Sequence, residues 1–289
     1  MTLRALDDKT IHVVASSPNL LICLDYDGTL TPIVSRPFLA RLHPRARIVL
    51  KKLSKMPGVK IVIMSGRALG DLEKQVGLKG LGYVGNHGLE RNLGGHPEID
   101  SHAIQLRGFI LKLTDALKRA MKNVPAVLIE NKTYSATVHY RNLSPSAVAK
   151  ARRIFRDVWS NFSAKIFFKI RPGKKVWEIR PRRGCSDKGR ALQLILRSLT
   201  PAQRKGLTTV CVGDDKTDED AFAVLRWSDV AIYVGESQRT MARYRLRETG
   251  AVLDLLEKIK SIRQKASRVQ SGGKPLIKST GRSKLGRKP

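Results

Sequence analysis

Cysteine is scarce in this 289-residue chain, and what there is does not pair. Cys23, Cys185 and Cys211 are odd in number and fit no zinc spacing, so neither a disulfide framework nor a structural zinc site is expected. Cys23 and Cys211 lie inside apolar runs and read as reduced core thiols, which makes a reducing cytoplasm the default location. Long hydrophobic runs are missing too. Leu20–Leu24 and Ile61–Met64 are far too short to span a bilayer, so no membrane is expected as partner. The start of the chain mixes Arg4, Asp7, Asp8 and Lys9 with apolar residues, and a secretory signal is not expected.

Acid is in short supply. Twenty-four Asp and Glu face 55 Lys and Arg, a formal charge of +31. Eleven of the bases and no acid fall between Lys258 and Pro289 among Ser, Gly and Pro, which predicts a disordered basic tail, placed at 263–289. The rest of the chain still carries +20. Such a surface attracts anions, from phosphorylated metabolites to nucleic acid. Nucleic-acid binding through the tail is the secondary reading, and a small phosphorylated molecule the primary one.

What is there alternates. Apolar strand-like runs at Leu20–Leu24, Val59–Met64 and Tyr83–Val84 are separated by helical patterns at Ala46–Lys55 and Leu69–Val76. This predicts a parallel, Rossmann-like sheet with helices on both faces. From about residue 98 to 182 the order becomes α-β-β-α-β-β, its last two strands at Lys165–Ile170 and Val176–Arg180 around a turn at Arg171-Pro172-Gly173-Lys174, a small antiparallel sheet with two helices on one face. The first pattern then resumes, with strands at Thr208–Val212 and Val230–Val234 and a closing helix at Val252–Ile259. The expected architecture is an α/β core from 1–97 and 183–262 with an α+β cap, 98–182, inserted into it, acting as a monomer.

The strand ends carry the chemistry. Leu20–Leu24 runs into Asp25-Tyr26-Asp27-Gly28-Thr29, two carboxylates two residues apart before a glycine turn. Thr208–Val212 runs into Gly213-Asp214-Asp215-Lys216-Thr217-Asp218-Glu219-Asp220, a second acidic knot. Ser65 follows the strand Val59–Met64, and Lys188 stands near a helix start. Ligands of such sheets bind beyond the carboxyl ends of the strands. Mg²⁺ takes oxygen ligands from one or two carboxylates together with substrate phosphate, a role suited to Asp25 and Asp214, with the backbone carbonyl of Asp27 as a third oxygen. Asp25 is then the candidate nucleophile and Asp27 the acid that protonates the leaving alkoxide. Ser65 would hydrogen-bond a phosphoryl oxygen, Lys188 would offset its charge, and Gly28 would leave backbone N–H groups facing the phosphate. Asp-x-Asp alone marks many ordinary turns. An EF-hand is excluded because Arg36 stands where the bidentate Glu should be, and Gly77-x-x-Gly80-x-Gly82 does not fit the dinucleotide fingerprint.

In these motifs the chain resembles the haloacid dehalogenase superfamily, and within it the trehalose-6-phosphate phosphatases over about Asn19 to Ile259. The four motifs are Leu24-Asp25-Tyr26-Asp27-Gly28-Thr29-Leu30, Ser65-Gly66-Arg67, Asp187-Lys188-Gly189 and Gly213-Asp214-Asp215-x-Thr217-Asp218-Glu219-Asp220. Gly85-Asn86-His87-Gly88, Glu130-Asn131-Lys132, Val138-His139-Tyr140-Arg141 and Glu178-Ile179-Arg180-Pro181 resemble the segments that hold the sugar. The resemblance implies hydrolysis of trehalose 6-phosphate through an aspartyl-phosphate, with Mg²⁺. Asp215 and Asp218 would support the metal site from behind. Arg67, Asn86, His87, Glu130, Lys132, Arg141 and Glu178 would contact substrate, under a cap that closes over it. Gly184-Cys185-Ser186 departs from the family, many members of which carry an aromatic before Asp187. The alternatives are phosphatases of sucrose 6-phosphate or mannosyl-3-phosphoglycerate, and a polyanion-binding protein on the same scaffold.

Overall fold

Strand β2 (Asn19–Asp25) is buried from Leu20 onward, and its side chains divide by parity. Leu20, Ile22 and Leu24 enter one apolar cluster, and Leu21 and Cys23 the other. Both faces of the strand are therefore covered, as its uninterrupted apolar run demands. The computed structural model describes residues 3–184, 187–236 and 239–271.

Around β2 lie β3 (Val59–Met64), β4 (Gly82–Gly85), β11 (Leu207–Gly213), β12 (Val230–Val234) and β13 (Tyr244–Leu246), all parallel. The described sheet has nine strands in the order β1-β13-β12-β11-β2-β3-β4-β5-β6, completed by β1 (Arg4–Ala5), β5 (Glu90–Asn92) and β6 (Pro97–Ile99). The last two are antiparallel, carrying the chain off the sheet edge toward the cap. One face is covered by α1 (Asp8–Ser16), α2 (Pro44–Leu53), α3 (Leu69–Val76) and α9 (Thr249–Ser271), the other by α6 (Lys188–Ser198) and α8 (Glu219–Phe222), with the single turn α7 (Pro201–Arg204) leading from α6 to β11.

The cap follows the expected order: α4 (Ser101–Ala120), β7 (Leu128–Asn131), β8 (Ala136–His139), α5 (Pro145–Ser160), β9 (Phe168–Gly173) and β10 (Val176–Pro181). Its antiparallel sheet runs β7-β8-β10-β9 and shares a separate apolar cluster with α4 and α5. Leu106, Ile110, Leu113 and Leu117, at helical spacing, are the buried stripe of α4.

Three expectations change. The strand predicted at Lys165–Ile170 starts at Phe168, because Ser163–Phe167 forms a 3₁₀ turn. The turn predicted at Arg171–Lys174 shifts to Lys174-Lys175, where Lys175 takes φ 66°. The closing helix predicted at Val252–Ile259 runs from Thr249 to Ser271, so the first nine residues placed in a disordered tail are helical. Arg263 holds them there, donating to the carbonyls of Ala15, Ser17 and Pro57. Positions 272–289 of that tail, and Cys185 and Ser186, lie outside the described residues. Cys23 and Cys211 are free and buried, and no described helix is long and apolar enough to cross a membrane.

Candidate active site

From β2 the chain proceeds to β3 on one side of the sheet, and only much later adds β11 on the other, so β2 and β11 flank a topological switch point. Asp25 ends β2 and Asp214 follows β11. Lys188 opens α6, whose N-terminus is capped by Asp187 through Arg190 N at 2.8 Å. The Lys188 ammonium is buried between carboxylates, donating to Asp25 Oδ1 at 2.6 Å and Asp218 Oδ1 at 2.7 Å. Asp218 is fixed from the other side by the backbone N–H groups of Asp214 and Asp215, at 3.0 and 3.1 Å.

Asp25, Asp214 and Asp218 each present a ligand atom, all within 4.8 Å of one another. They are buried and short of positive charge. Burial pushes the Asp25 carboxyl up to about 8 and the Asp214 carboxyl up to about 6, against the pull of Lys188 and Lys174 respectively. Asp214 Oδ1 is buried without a hydrogen-bond partner among the described residues. An all-oxygen, anion-rich cluster with one unsatisfied oxygen fits a hard divalent cation. Beside the expected Asp25 and Asp214, this side-chain group brings in Asp218, which was expected to stand behind the metal. Asp27 receives the Arg67 fork, Nε to Oδ2 and NH2 to Oδ1, both at 2.7 Å. Gly28 is obligatory beside it: its φ is +97°, and a Cβ would stand 2.0 Å from Asp214 Oδ2.

A cleft of about 170 Å³ joins core and cap. Its lining includes Asp25, Asp27, Ser65 and Lys188 from the core, and Glu130, Lys132 and Glu178 from the cap. Lys132 is buried and donates to the carbonyl of Gly66 at 2.9 Å, tying the cap hairpin to the loop after β3. Lys132 and the His139 ring, 2.8 Å from Glu130 Oε2, outweigh burial and hold the Glu130 carboxyl down at about 2. His87 Nε2 lies 3.0 Å from Glu178 Oε1 and 2.7 Å from Arg180 NH2, and Arg180 also pairs with Glu178. Burial and then the Arg180 charge push the His87 imidazole down to about 4, so it is neutral near pH 7.

Several expected substrate contacts are otherwise engaged. Asn86 is fully buried and does not line the cleft. Its amide donates to Glu90 Oε2 and the Lys132 carbonyl, and its oxygen accepts from Ser135 Oγ, so it joins core to cap. Arg67 spends its donors on Asp27, Asp71 and the Pro37 carbonyl. Arg141 lines the cleft while donating to the Lys174 carbonyl at 2.8 Å. Asp215 accepts from Thr217 N and Oγ1, both at 2.7 Å. Of the cleft lining, Thr137 went unread, while His139 and Thr217 stood in recognised motifs without a role of their own; Lys174, which donates to the Asp214 carbonyl at 2.9 Å and pairs with its carboxylate, was read only as part of a turn. Only the lysine pair at a tight turn signalled the last.

A doubly wound core with acids at the switch point and an inserted α+β cap places the chain in the haloacid dehalogenase class. The trehalose-phosphatase family profile matches residues 23–249. "Probable trehalose-phosphate phosphatase C" of Arabidopsis thaliana is 31% identical over 257 residues, covering 85% of this chain and 78% of that protein. The trehalose-phosphate phosphatase of Mycobacterium tuberculosis is 34% identical over 225 residues, 77% of this chain and 55% of that one. Among solved structures, the C-terminal domain of C. albicans trehalose-6-phosphate phosphatase aligns with a TM-score of 0.77 at 26% identity, over 90% of this chain and 98% of that one. The chain belongs to the trehalose-phosphatase family.

Proposed function

We propose that this chain hydrolyses trehalose 6-phosphate to trehalose and phosphate, with Asp25 as nucleophile and Asp27 as general acid and then general base. The observation that carries the reading is the make-up of one cleft, in which Asp25 and Asp27 from the core share a wall with Glu130, Lys132 and Glu178 from the cap. Phosphate belongs at the core end. At the cap end, carboxylates accept hydrogen bonds from sugar hydroxyls. The family and the relatives' names support the disaccharide as its sugar.

Asp25, Asp214 and Asp218 are the residues that would hold Mg²⁺. When bound, such an ion supplies positive charge that lets a carboxylate approach a phosphate dianion. The remaining steps belong to the chain. An Asp25 carboxylate oxygen attacks phosphorus, the bond to the sugar oxygen breaks, and Asp27 protonates the departing alkoxide. Asp27, now ionised, takes a proton from water, which attacks phosphorus and breaks the bond to Asp25, freeing phosphate. Lys188, charged and buried, orients the nucleophile. The Arg67 fork occupies both oxygens of Asp27, so arrival of substrate has to loosen it before Asp27 can reach the leaving oxygen. Ser65, 1% exposed just after β3, lines the same cleft and would donate to a phosphoryl oxygen.

The test is phosphate release from trehalose 6-phosphate and from sucrose 6-phosphate, with Mg²⁺ or with chelator. Wild type should turn over the first in Mg²⁺ alone, and Asp25→Asn should lose turnover while melting as a folded protein. Equal or faster release from the sucrose ester would overturn the substrate, and an active Asp25→Asn would remove the nucleophile.

A further inference from the structure

The tip of the β9–β10 hairpin crosses from the cap to the second acidic segment of the core. Lys174 and Lys175 make its two-residue turn between the paired Gly173 and Val176. The turn is held from within the cap, because Arg141 NH2 donates to the Lys174 carbonyl at 2.8 Å and Tyr140 N to the Lys175 carbonyl at 3.1 Å. From that fixed turn Lys174 Nζ donates to the Asp214 carbonyl at 2.9 Å and pairs with Asp214 Oδ2. Three residues back, Arg171 NH1 donates to Asp220 Oδ2 at 2.5 Å. One oxygen of Asp214 is thus neutralised by an ammonium from the cap, while Oδ1 is left without a partner.

An ammonium hydrogen-bonded to a metal-binding carboxylate carries the same sign as the ion that would bind there, and the two repel at a few ångströms. The side chain of Lys174 is 44% exposed, so it can swing into water at small cost, whereas the buried Lys188 cannot. We propose that Lys174 is a positioning residue that competes with the divalent cation for Asp214, so that metal loading frees the hairpin tip and tip docking weakens metal binding. The proposal rests on the reading of Asp25, Asp214 and Asp218 as the cation site. Coupling between two ligands of one group is reciprocal, so the effect has two readouts that need no substrate.

The first is calorimetric titration of Mg²⁺ into substrate-free wild type, Lys174→Met, Lys174→Arg and Lys175→Met. Lys174→Met should bind about 3- to 10-fold tighter, the scale of a half-exposed ion pair. Lys174→Arg and Lys175→Met should stay near wild type. The second is hydrogen exchange at the backbone amides of 171–176, excluding proline, which Mg²⁺ should accelerate in wild type but not in Lys174→Met. Unchanged or weaker binding by Lys174→Met, or an equal gain with Lys175→Met, overturns the proposal alone. Absence of Mg²⁺ binding in all four proteins overturns the cation site, and the proposal with it.

Discussion

Replacing Lys188 by Met removes a charge while nearly preserving shape, and the structure sets the size of the consequence. The ammonium is 2% exposed and bridges two carboxylates that are themselves buried. Deleting one partner of a buried ion pair costs about 3–5 kcal/mol, because the other charge is left uncompensated. Asp218 keeps its two backbone N–H donors, so the loss falls chiefly on Asp25 and the lower figure applies. At about 2–4 °C per kcal/mol for a domain of this size, the melting temperature should drop by roughly 10 °C at pH 9 in chelator. The pH dependence has a definite sign. Burial raises the folded-state value of Asp25 from 3.8 to about 8, so its favourable contribution is complete below 3.8 and is lost as pH rises through 8. Without Lys188 that value moves higher still, and the deficit between mutant and wild type widens from pH 5 to pH 9, almost all of it above pH 7 as the wild-type carboxyl ionises. Calorimetric melts of both proteins at the two pH values decide it. A deficit below about 3 °C at pH 9, or one that grows toward acid, would refute the argument that Lys188 compensates buried carboxylates.

Gly28→Ala should destabilise by at least about 2 kcal/mol in urea unfolding, since an alanine Cβ meets both a left-handed backbone and the Asp214 carboxylate; a wild-type midpoint would contradict this. His87, held down to about 4 from 6.5, leaves the unfolded chain binding the extra proton between those values, so stability should fall as pH drops from 6.5 to 4. His87→Gln should remove up to roughly 3 kcal/mol of that dependence, and parallel pH profiles for the two proteins would exclude it. Arg67→Lys keeps the charge but not the fork on Asp27, and should lower kcat about 10-fold or more with little change in KM. A change confined to KM would instead make Arg67 a substrate contact.

Much of the core was legible because a parallel strand buried on both faces needs a continuous apolar run, and here each run stops at a polar residue that the fold then uses. Leu20–Leu24 and Thr208–Val212 are of this kind, and Asp25 and Asp214 follow from them. The cap was legible from the stripe on α4 and the doubled hairpin pattern. Short edge pieces were not: β5, β6 and β13 have three residues each, too few to show a period. α1 went unread although Asp7 caps it and Ile11, Val14 and Ala15 form its buried side. Within the site, the grouping of Asp218 with Asp25 depends on how the loop after Gly213 folds, and no linear spacing encodes it. Asn86 and His87 take left-handed backbone, which both residue types tolerate, but nothing in the linear pattern says that Asn86 is then buried. Contacts such as Lys174 to Asp214 join segments 40 residues apart and exist only once cap and core are docked.

Arg263 fastens α9 to three carbonyls at the amino ends of β2 and β3, whereas the acids stand at the opposite, carboxyl ends. A seven-residue strand separates the two by about 20 Å. An anchor, dye or solid support attached at position 267 or 268, both exposed, would therefore grip the molecule from behind and leave the entrance to the cleft facing open solution.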